Sequence, residues 1–292
     1  MIDMHMHTIY SDGDKTVEEI LKMCEEKKLE YISITDHDTC KQYEDFALKN
    51  NKIFSGKIIK GSELHAVFQN KSIEILGYNI NPDIINEWCK KYYSEEKLIE
   101  QQKICRNRLF EICDKHGLIY DKNNIREPKK ASEYVERPIY EELLKHKENY
   151  NILGIFTESY EAFYRKGLSN PENSFFMNHA EFRPKYNEVI DIIHTAGGKA
   201  FLAHPFEYKF IDTLEFINDL RKEKELDGIE CFHPSSEYDN KIEILLEYAR
   251  KNNLFISGGS DYHGSPKTDI EIGVGRGNLN IPKEYIEEWA NW

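Results

Sequence analysis

Several features that would assign a chain to a membrane or to an oxidising compartment are missing from this sequence. Its 292 residues contain no run of 18 apolar residues, which argues against a membrane-spanning helix. The six cysteines form no C-x-x-C pair and no regular framework, and no secretory segment precedes His5. We therefore expect a cytoplasmic protein with no membrane association and no obligatory protein partner.

Basic side chains are also in deficit, with 39 Lys and Arg against 52 Asp and Glu and a formal net charge of −13. This balance argues against broad electrostatic capture of nucleic acid, although it leaves room for a local basic groove. Bound divalent cations would offset part of the negative excess. The length is enough for one large α/β domain or two smaller ones, and the sequence contains no internal repeat.

Metal-binding residue types recur where short apolar runs end. Five stretches show this pattern: His5 with His7, Asp36-His37-Asp38, Glu63, His204, and Asp261 with His263. The preceding runs, such as residues 31–35 and 200–203, are typical of strands. Parallel α/β sheets and barrels build their active sites at the carboxyl ends of strands, so we expect these side chains to converge. Imidazole and carboxylate together suit Zn, Mn or Fe, and the pattern predicts a cluster of metal ions.

Such a cluster favours phosphoester hydrolysis. Two ions roughly 3.5–4 Å apart can clamp a phosphoryl group and lower the pKa of a bound water from about 15.7 toward 7. A hydroxide that bridges the ions is then the expected nucleophile. Glu63 is the expected bridging ligand, because a carboxylate can bridge two ions and a neutral imidazole cannot.

The sequence divides into an α/β part and a helical part. Strand and helix patterns alternate over residues 1–83 and 177–292, an order that is typical of a parallel sheet. Thr16 to Glu19 is a capping box, which predicts the start of a helix. Residues 84–176 show only helical spacing, with helices expected over 86–116, 138–146 and 157–166. We interpret this middle part as a helical insertion, a lid or side domain over the site.

The metal-binding stretches resemble those of the PHP (polymerase and histidinol phosphatase) family. Five segments carry the resemblance: DMHMHT at 3–8 with SDG at 11–13, ITDHD at 34–38, GSE at 61–63, AHP at 203–205, and GSDYHG at 259–264. Their order and spacing span the whole chain. The resemblance implies a distorted (β/α)7 TIM-like barrel, the PHP fold, with a site for two or three divalent ions.

The resemblance also implies which residues bind each ion. The implied ligands fall into three sets: His5, His7, Glu63 and Asp261; Asp12, His37 and His263; and Glu63, Glu74 and His204. Glu74 lies where the family usually has His. Glutamate can still ligate through oxygen, so the identity or occupancy of the third ion is open.

The helical part bears on the substrate. A subgroup of the family with a helical insertion removes phosphate from nucleoside 3′,5′-bisphosphates or trims short RNA from its 5′ end, and its insertion carries Arg-Pro-His. Here the pattern is Arg137-Pro138-Ile139. Arg137 is an expected phosphate clamp, because a guanidinium can hold two phosphate oxygens. Lys166 ends a predicted helix, so a phosphate contact and a purely structural role at the helix dipole are both open.

Other polar residues near the predicted site each have two possible roles. His233 follows the strand pattern 228–232, and it either contacts substrate or is a plain loop residue. A protonated His204 or His233 is expected to serve the leaving group. His65 either supports a ligand or faces solvent, and Asp38 either orients an imidazole or caps a helix.

We therefore expect a metal-dependent phosphoesterase, an enzyme of the hydrolase class. Its expected substrates are small phosphomonoesters, among them nucleoside bisphosphates. The next expected activity is trimming of short oligoribonucleotides from their 5′ end. A histidinol-phosphatase-like enzyme is an alternative in the same class. A non-catalytic, metal-stabilised module that binds a nucleotide or a partner protein is the alternative in a different class.

Overall fold

The computed structural model describes residues 1–290 and separates into two compact units. One unit comprises Met1–Cys89 together with the chain from Arg183 onward, and the other comprises Lys90–Phe182. All strands of the described residues belong to the first unit, whereas the second is helical. The predicted insertion, 84–176, begins and ends about six residues before the helical unit does. Within the described residues, no helix is both long and apolar enough to cross a membrane.

The strands of the first unit form two sheets. Their bounds are β1 Ile2–Asp3, β2 Tyr31–Ile32, β3 Lys57–Ile58, β4 Gly61–Phe68, β5 Lys71–Tyr78, β6 Lys199–Leu202, β7 Gly228–Phe232 and β8 Phe255–Gly258. The first sheet has the order β1-β2-β3 and is parallel throughout. The second has the order β4-β5-β6-β7-β8, in which β6, β7 and β8 are parallel.

The parallel pattern expected for the first 80 residues is wrong at β4 and β5. These strands form an antiparallel hairpin, and β5 also pairs antiparallel with β6. Gln69 and Asn70 join the hairpin with φ of 48° and 61°. A two-residue loop with positive φ at both positions matches the twist of a hairpin, and Asn adopts that conformation readily. The sequence lacks the Asn-Gly or Asp-Gly signal that usually reveals such a turn.

Helices occur in both units. Their bounds are α1 Val17–Glu26, α2 Phe46–Lys49, α3 Pro82–Tyr93, α4 Glu95–Lys115, α5 Glu136–Leu143, α6 Tyr150–Leu153, α7 Tyr160–Ala162, α8 Tyr186–Thr195, α9 Thr213–Glu223, α10 Lys241–Lys251 and α11 Lys283–Ala290. The capping box at Thr16 and Glu19 is confirmed at the start of α1. The single helix expected over 86–116 is instead α3 and α4, because Ser94 is extended and caps the backbone N–H of Lys97.

Each unit has its own apolar core. In the first, one face of α1 (Val17, Ile20, Leu21 and Cys24) packs with strand residues such as Ile32. Trp289 is fully buried in this unit, where it stacks on Tyr78 and donates to the carbonyl of Ile256. In the helical unit, buried residues of α4 and α5 pack with the segment 163–177. All six cysteines are free and buried.

The ends of several strands approach one another in the first unit. The amide of Asp261, just past β8, donates to the carbonyl of His5, just past β1, at 2.8 Å. The amide of Glu63 in β4 donates to the carbonyl of Thr35, past β2, at 3.0 Å. A Cβ on Gly259 would lie 2.3 Å from the backbone nitrogen of His5, so only glycine permits this approach. These contacts place the predicted metal ligands side by side.

Candidate metal centre

The residues predicted as metal ligands converge in three overlapping groups. Ligand atoms lie within 4.8 Å of one another in each of these groups: His5, His7, Glu63 and Asp261; His7, Asp12, His37 and His263; and Glu63, Glu74 and His204. The groups match the predicted sets, with His7 as an additional member of the second. Their role as metal ligands stays a prediction, whereas their proximity is a property of the fold.

Glu63 lies at the centre of the cluster. Its Oε2 is 3.1 Å from His5 Nε2, 3.3 Å from His7 Nε2 and 3.2 Å from His37 Nδ1. Its Oε1 is 2.9 Å from His204 Nε2. Two oxygens of one buried carboxylate therefore face different sets of nitrogen atoms. A bridging ligand between two ions needs this arrangement.

The other carboxylates complete the first two groups. Asp261 Oδ1 lies 3.5 Å from His5 Nε2 and 3.3 Å from His7 Nε2. Asp12 Oδ1 lies 3.2 Å from His263 Nε2 and 3.7 Å from both His7 Nδ1 and His37 Nε2. The Asp12 side chain is 57% exposed, whereas Asp261 is buried. The second group therefore opens to solvent, whereas the first is enclosed.

Glu74 takes part in the third group through a chain of charged side chains. Its Oε2 lies 3.3 Å from His204 Nε2, and its Oε1 lies 3.1 Å from His65 Nε2. His65 and Glu74 are direct cross-strand partners in the β4–β5 hairpin. Asp38 accepts from His65 Nδ1 at 2.7 Å and from Arg183 at 3.2 Å. His65 and Asp38 thus hold the Glu74 carboxylate in place, and Asp38 does not cap the helix that follows it.

Three side chains that the sequence did not single out support the cluster. Glu230 in β7 accepts from His5 Nδ1 at 2.9 Å and from the His204 amide at 2.8 Å. Lys267 donates to Asp261 Oδ2. Asp3 accepts from the amides of Ser260 and Gly273, which secures the loop after β8. A charged residue within the otherwise apolar run 228–232 was the available signal for Glu230, because a buried charge needs a partner.

The backbone is strained at three of these positions. Asp38, His204 and Asp261 have φ of 52°, 24° and 55°, in the left-handed region that non-glycine residues rarely adopt. Such strain costs of order 1–3 kcal/mol per residue and persists only where the surroundings enforce it. The His204 side chain lies against Glu63, and the Asp261 side chain lies against the imidazoles of His5 and His7.

His233 also belongs to this cluster. It is 1% exposed, its Nε2 lies 3.4 Å from Asp261 Oδ2, and its Nδ1 is 2.8 Å from Ser235 Oγ. Arg137 and Lys166 belong to the helical unit, and both side chains are exposed there. Arg137 lies over the ring of Tyr160, with 4.6 Å between the guanidinium carbon and the ring centroid. Substrate contacts by these three residues stay predictions.

Electrostatics in the cluster favour a bound cation. Burial alone would lower the pKa of His204, but the hydrogen bond and charge of Glu63 raise it to about 10. Burial also opposes protonation of His7, whose close contacts with Asp261 and Glu63 raise its pKa to about 9. Burial would raise the pKa of Glu63, yet the charges of His5 and His37 hold it well below its usual value. The carboxylates are therefore ionised and recruit positive charge.

The donor set fits divalent ions on geometric grounds as well. Glu63 Oε2 and His37 Nδ1 are buried and make no hydrogen bond, although they lie 3.2 Å apart. Buried polar atoms normally have partners, so such a pair needs explaining. A cation between the two atoms would satisfy both. Imidazole nitrogen with carboxylate oxygen is a donor set for Zn, Mn or Fe.

Metal binding is expected to release protons and to weaken as pH falls. His7 and His204, with pKa values raised to about 9 and about 10, carry protons at pH 7 that an ion must displace. For each proton released, the apparent affinity should fall by about tenfold for every pH unit that the solution lies below these pKa values. Titration calorimetry in buffers of different ionisation enthalpy measures the release. A binding heat that is independent of the buffer would contradict the expected protonation.

Comparison with known proteins identifies the family. The family model for the PHP domain matches residues 3–256. A protein of Escherichia coli (strain K12) named 5′-3′ exoribonuclease Rnm is 26% identical, covering 99% of this chain and 93% of the relative. A phosphoribosyl 1,2-cyclic phosphate 1,2-diphosphodiesterase of Eggerthella lenta is 22% identical over 90% of this chain and 94% of the relative.

The fold is shared with a solved structure. A protein from Bifidobacterium adolescentis, assigned as a metal-dependent phosphoesterase, superposes with a TM-score of 0.64 at 21% identity. The match covers 99% of this chain and 94% of that chain. The chain belongs to the PHP domain family. It is a metal-dependent phosphoesterase, a hydrolase that uses divalent ions.

Proposed function

We propose that this phosphoesterase hydrolyses nucleotide phosphoesters and trims short oligoribonucleotides from their 5′ end. The observation that carries the proposal is full-length similarity to a 5′-3′ exoribonuclease in a chain whose candidate ligands form one cluster. The net charge of −13 favours short substrates, because long RNA would be repelled outside the immediate site. Small phosphomonoesters, among them nucleoside bisphosphates, are the neighbouring substrate class.

We infer a (β/α)7 barrel in which β3 and β4 act as one bent strand. Backbone hydrogen bonds between the two sheets support this arrangement. The Glu63 amide donates to Thr35, and the Met4 amide donates to Gly258. Two or three ions are the expected complement, with Mn, Zn or Fe as candidates, and three would correspond to one ion for each ligand group. Metal analysis of the purified protein tests both the number and the identity.

The side chains of the cluster have distinct parts in the proposed reaction. When bound, the divalent ions polarise the phosphoryl group and activate the nucleophilic water. Glu63 holds the imidazoles of His5, His7 and His37 around one point. His204 Nε2 faces Glu63 and Glu74 as a ligand, which leaves His233 as the better donor of a proton to the leaving oxygen. Lys267 brings a positive charge to Asp261 and to the phosphate that approaches it.

An oligonucleotide assay tests the proposal. We expect a 5′-phosphorylated RNA of about four nucleotides to be shortened one nucleotide at a time from its 5′ end in the presence of Mn²⁺. The same RNA blocked at its 5′ end is the control and should persist. A substrate panel separates the alternatives: a nucleoside 3′,5′-bisphosphate, histidinol phosphate and a ribose 1,2-cyclic phosphate. If histidinol phosphate were the only compound of the panel to be hydrolysed, a histidinol-phosphatase-like function would replace the proposed one. Metal binding without turnover of any substrate would favour a non-catalytic module.

Arg137 is proposed to clamp substrate phosphate, and its removal should weaken binding. Arg137 is exposed and lies over the ring of Tyr160, which restricts the guanidinium before substrate arrives. We expect Arg137→Ala to lower kcat/KM by about 10–100-fold, or 1.4–2.7 kcal/mol, mainly through KM. Arg137→Lys should recover only part of the lost kcat/KM, because Lys keeps the positive charge but cannot form the bidentate contact.

The matched control for this change is Arg165→Ala. Arg165 is also exposed in the helical unit and pairs with Glu161 at 3.0 Å. Its removal should leave kcat/KM within about twofold of the original value, as for most surface substitutions. Equal losses in both variants would point to a general charge effect and would remove Arg137 from the site.

A further inference from the structure

A second group of metal-binding side chains lies in the helical unit. Cys105 in α4, Glu136 at the start of α5 and His179 in a 3-10 turn each offer a ligand atom within 4.8 Å of the other two. Cys105 Sγ is 3.9 Å from His179 Nδ1, and Glu136 Oε1 is 3.9 Å from His179 Nε2. Three segments of the chain therefore bring a thiol, a carboxylate and an imidazole together, and each contributes one ligand atom to the group.

The surroundings of this group are apolar. Cys105 is 2% exposed and belongs to the core of the helical unit together with Val135, which precedes Glu136, and Ile139, which lies three residues after it. Glu136 is 4% exposed. Burying a carboxylate in such surroundings is costly unless the group is paired or coordinates a metal. The side chain of His179 is about one-third exposed, which leaves a path for an ion to enter.

Neighbouring contacts hold the turn that carries His179. Arg108, one helical turn after Cys105 in α4, forms an ion pair with Glu181, and its guanidinium lies 5.7 Å from the ring centroid of Phe182. The 3-10 turn from His179 to Phe182 is therefore fastened to α4 beside the thiol. The geometry of the three donors is set by the fold of the helical unit.

We propose that Cys105, Glu136 and His179 form a separate metal site that takes a zinc-type divalent ion. Sulfur, imidazole nitrogen and carboxylate oxygen are the three donor types that zinc accepts in proteins. Three protein ligands leave a fourth position for water on the side where His179 is exposed. The ion would join α4, the start of α5 and the segment before Arg183. The proposal does not depend on which phosphoester the enzyme cleaves.

Cobalt substitution distinguishes this site from the one in the first unit. The ligand groups around Glu63 contain only nitrogen and oxygen donors, whereas the proposed site contains a thiolate. Titrating the full chain with Co²⁺ should produce a thiolate-to-cobalt charge-transfer band in the near ultraviolet, whose final intensity corresponds to one thiolate-bound ion per chain. Cys105→Ser should abolish the band, and zinc analysis should show the loss of one ion per chain. No band at saturating Co²⁺ would overturn the proposal.

Cys113→Ser is the matched control. Cys113 lies in the same helix, is 1% exposed, and belongs to none of the candidate ligand groups of the described residues. This variant should keep the full band, and a band lost equally in both serine variants would overturn the proposal. If Cys105→Ser fails to fold, His179→Ala is the alternative test variant, because replacing a partly exposed side chain disturbs the core less. It should weaken cobalt binding at least tenfold, and unchanged binding would exclude His179 as a ligand.

Discussion

Glu63→Gln is expected to reduce turnover of any phosphoester by at least about 1,000-fold, which corresponds to about 4 kcal/mol of transition-state stabilisation. One oxygen of Glu63 lies 3.1–3.3 Å from nitrogens of His5, His7 and His37, and the other lies 2.9 Å from His204. Glutamine keeps the shape but replaces one oxygen with an amide that donates and cannot ligate. The variant should also bind at least one ion fewer per chain, as measured by metal analysis.

The control for this substitution is Glu142→Gln in the helical unit. Glu142 is also a buried glutamate, 2% exposed, and its carboxylate pairs with Lys145 and accepts from Asn124. The Glu142→Gln variant should have an altered thermal stability, but its metal content and its turnover should not change. Residual turnover of Glu63→Gln above about one-tenth of the original rate, with full metal content, would show that Glu63 does not bridge ions.

The sequence predicts the inner part of the candidate site well, because local patterns place its residues. His5 and His7 alternate with the buried Met4 and Met6, so the pattern predicts that both imidazoles point to the same side of the segment that follows β1. His204 lies two residues past the strand β6, and Asp261 lies three residues past β8. Strand ends therefore locate these residues before any contact is known. Their meeting follows from parallel packing.

The supporting residues could not be predicted in the same way, since their partners are distant in sequence. Glu230 is 225 residues from His5, and nothing local in β7 indicates which histidine it contacts. His65 reaches Glu74 only because the β4–β5 hairpin sets these residues opposite each other. That hairpin has no strong turn signal, so the parallel arrangement was the natural expectation. Register is a property of the paired strands and was not visible in either strand alone.

The second large effect is expected for Glu230→Gln, which should weaken metal binding without removing a proposed ligand. Glu230 accepts from His5 Nδ1 at 2.9 Å, which directs His5 Nε2 toward Glu63 and Asp261. Partners that orient a ligating histidine typically contribute about 10–100-fold to metal affinity. The same carboxylate accepts from the strained His204 amide. We expect the dissociation constant of the most weakly bound ion to rise by about 10–100-fold.

Metal dependence of turnover separates this effect from a loss of folding. At saturating Mn²⁺ the Glu230→Gln enzyme should regain most of its activity, because the groups that contact the ions remain, whereas Glu63→Gln should not.

Asp227→Asn is the matched control. Asp227 lies just before the same strand and accepts a hydrogen bond from His194 at 2.7 Å. Neither residue belongs to the candidate ligand groups of the described residues. The substitution removes a similar carboxylate–imidazole pair and should leave the metal requirement unchanged. An equal rise in metal requirement in both variants would mean that strand stability, and not orientation of His5, controls the affinity of the site.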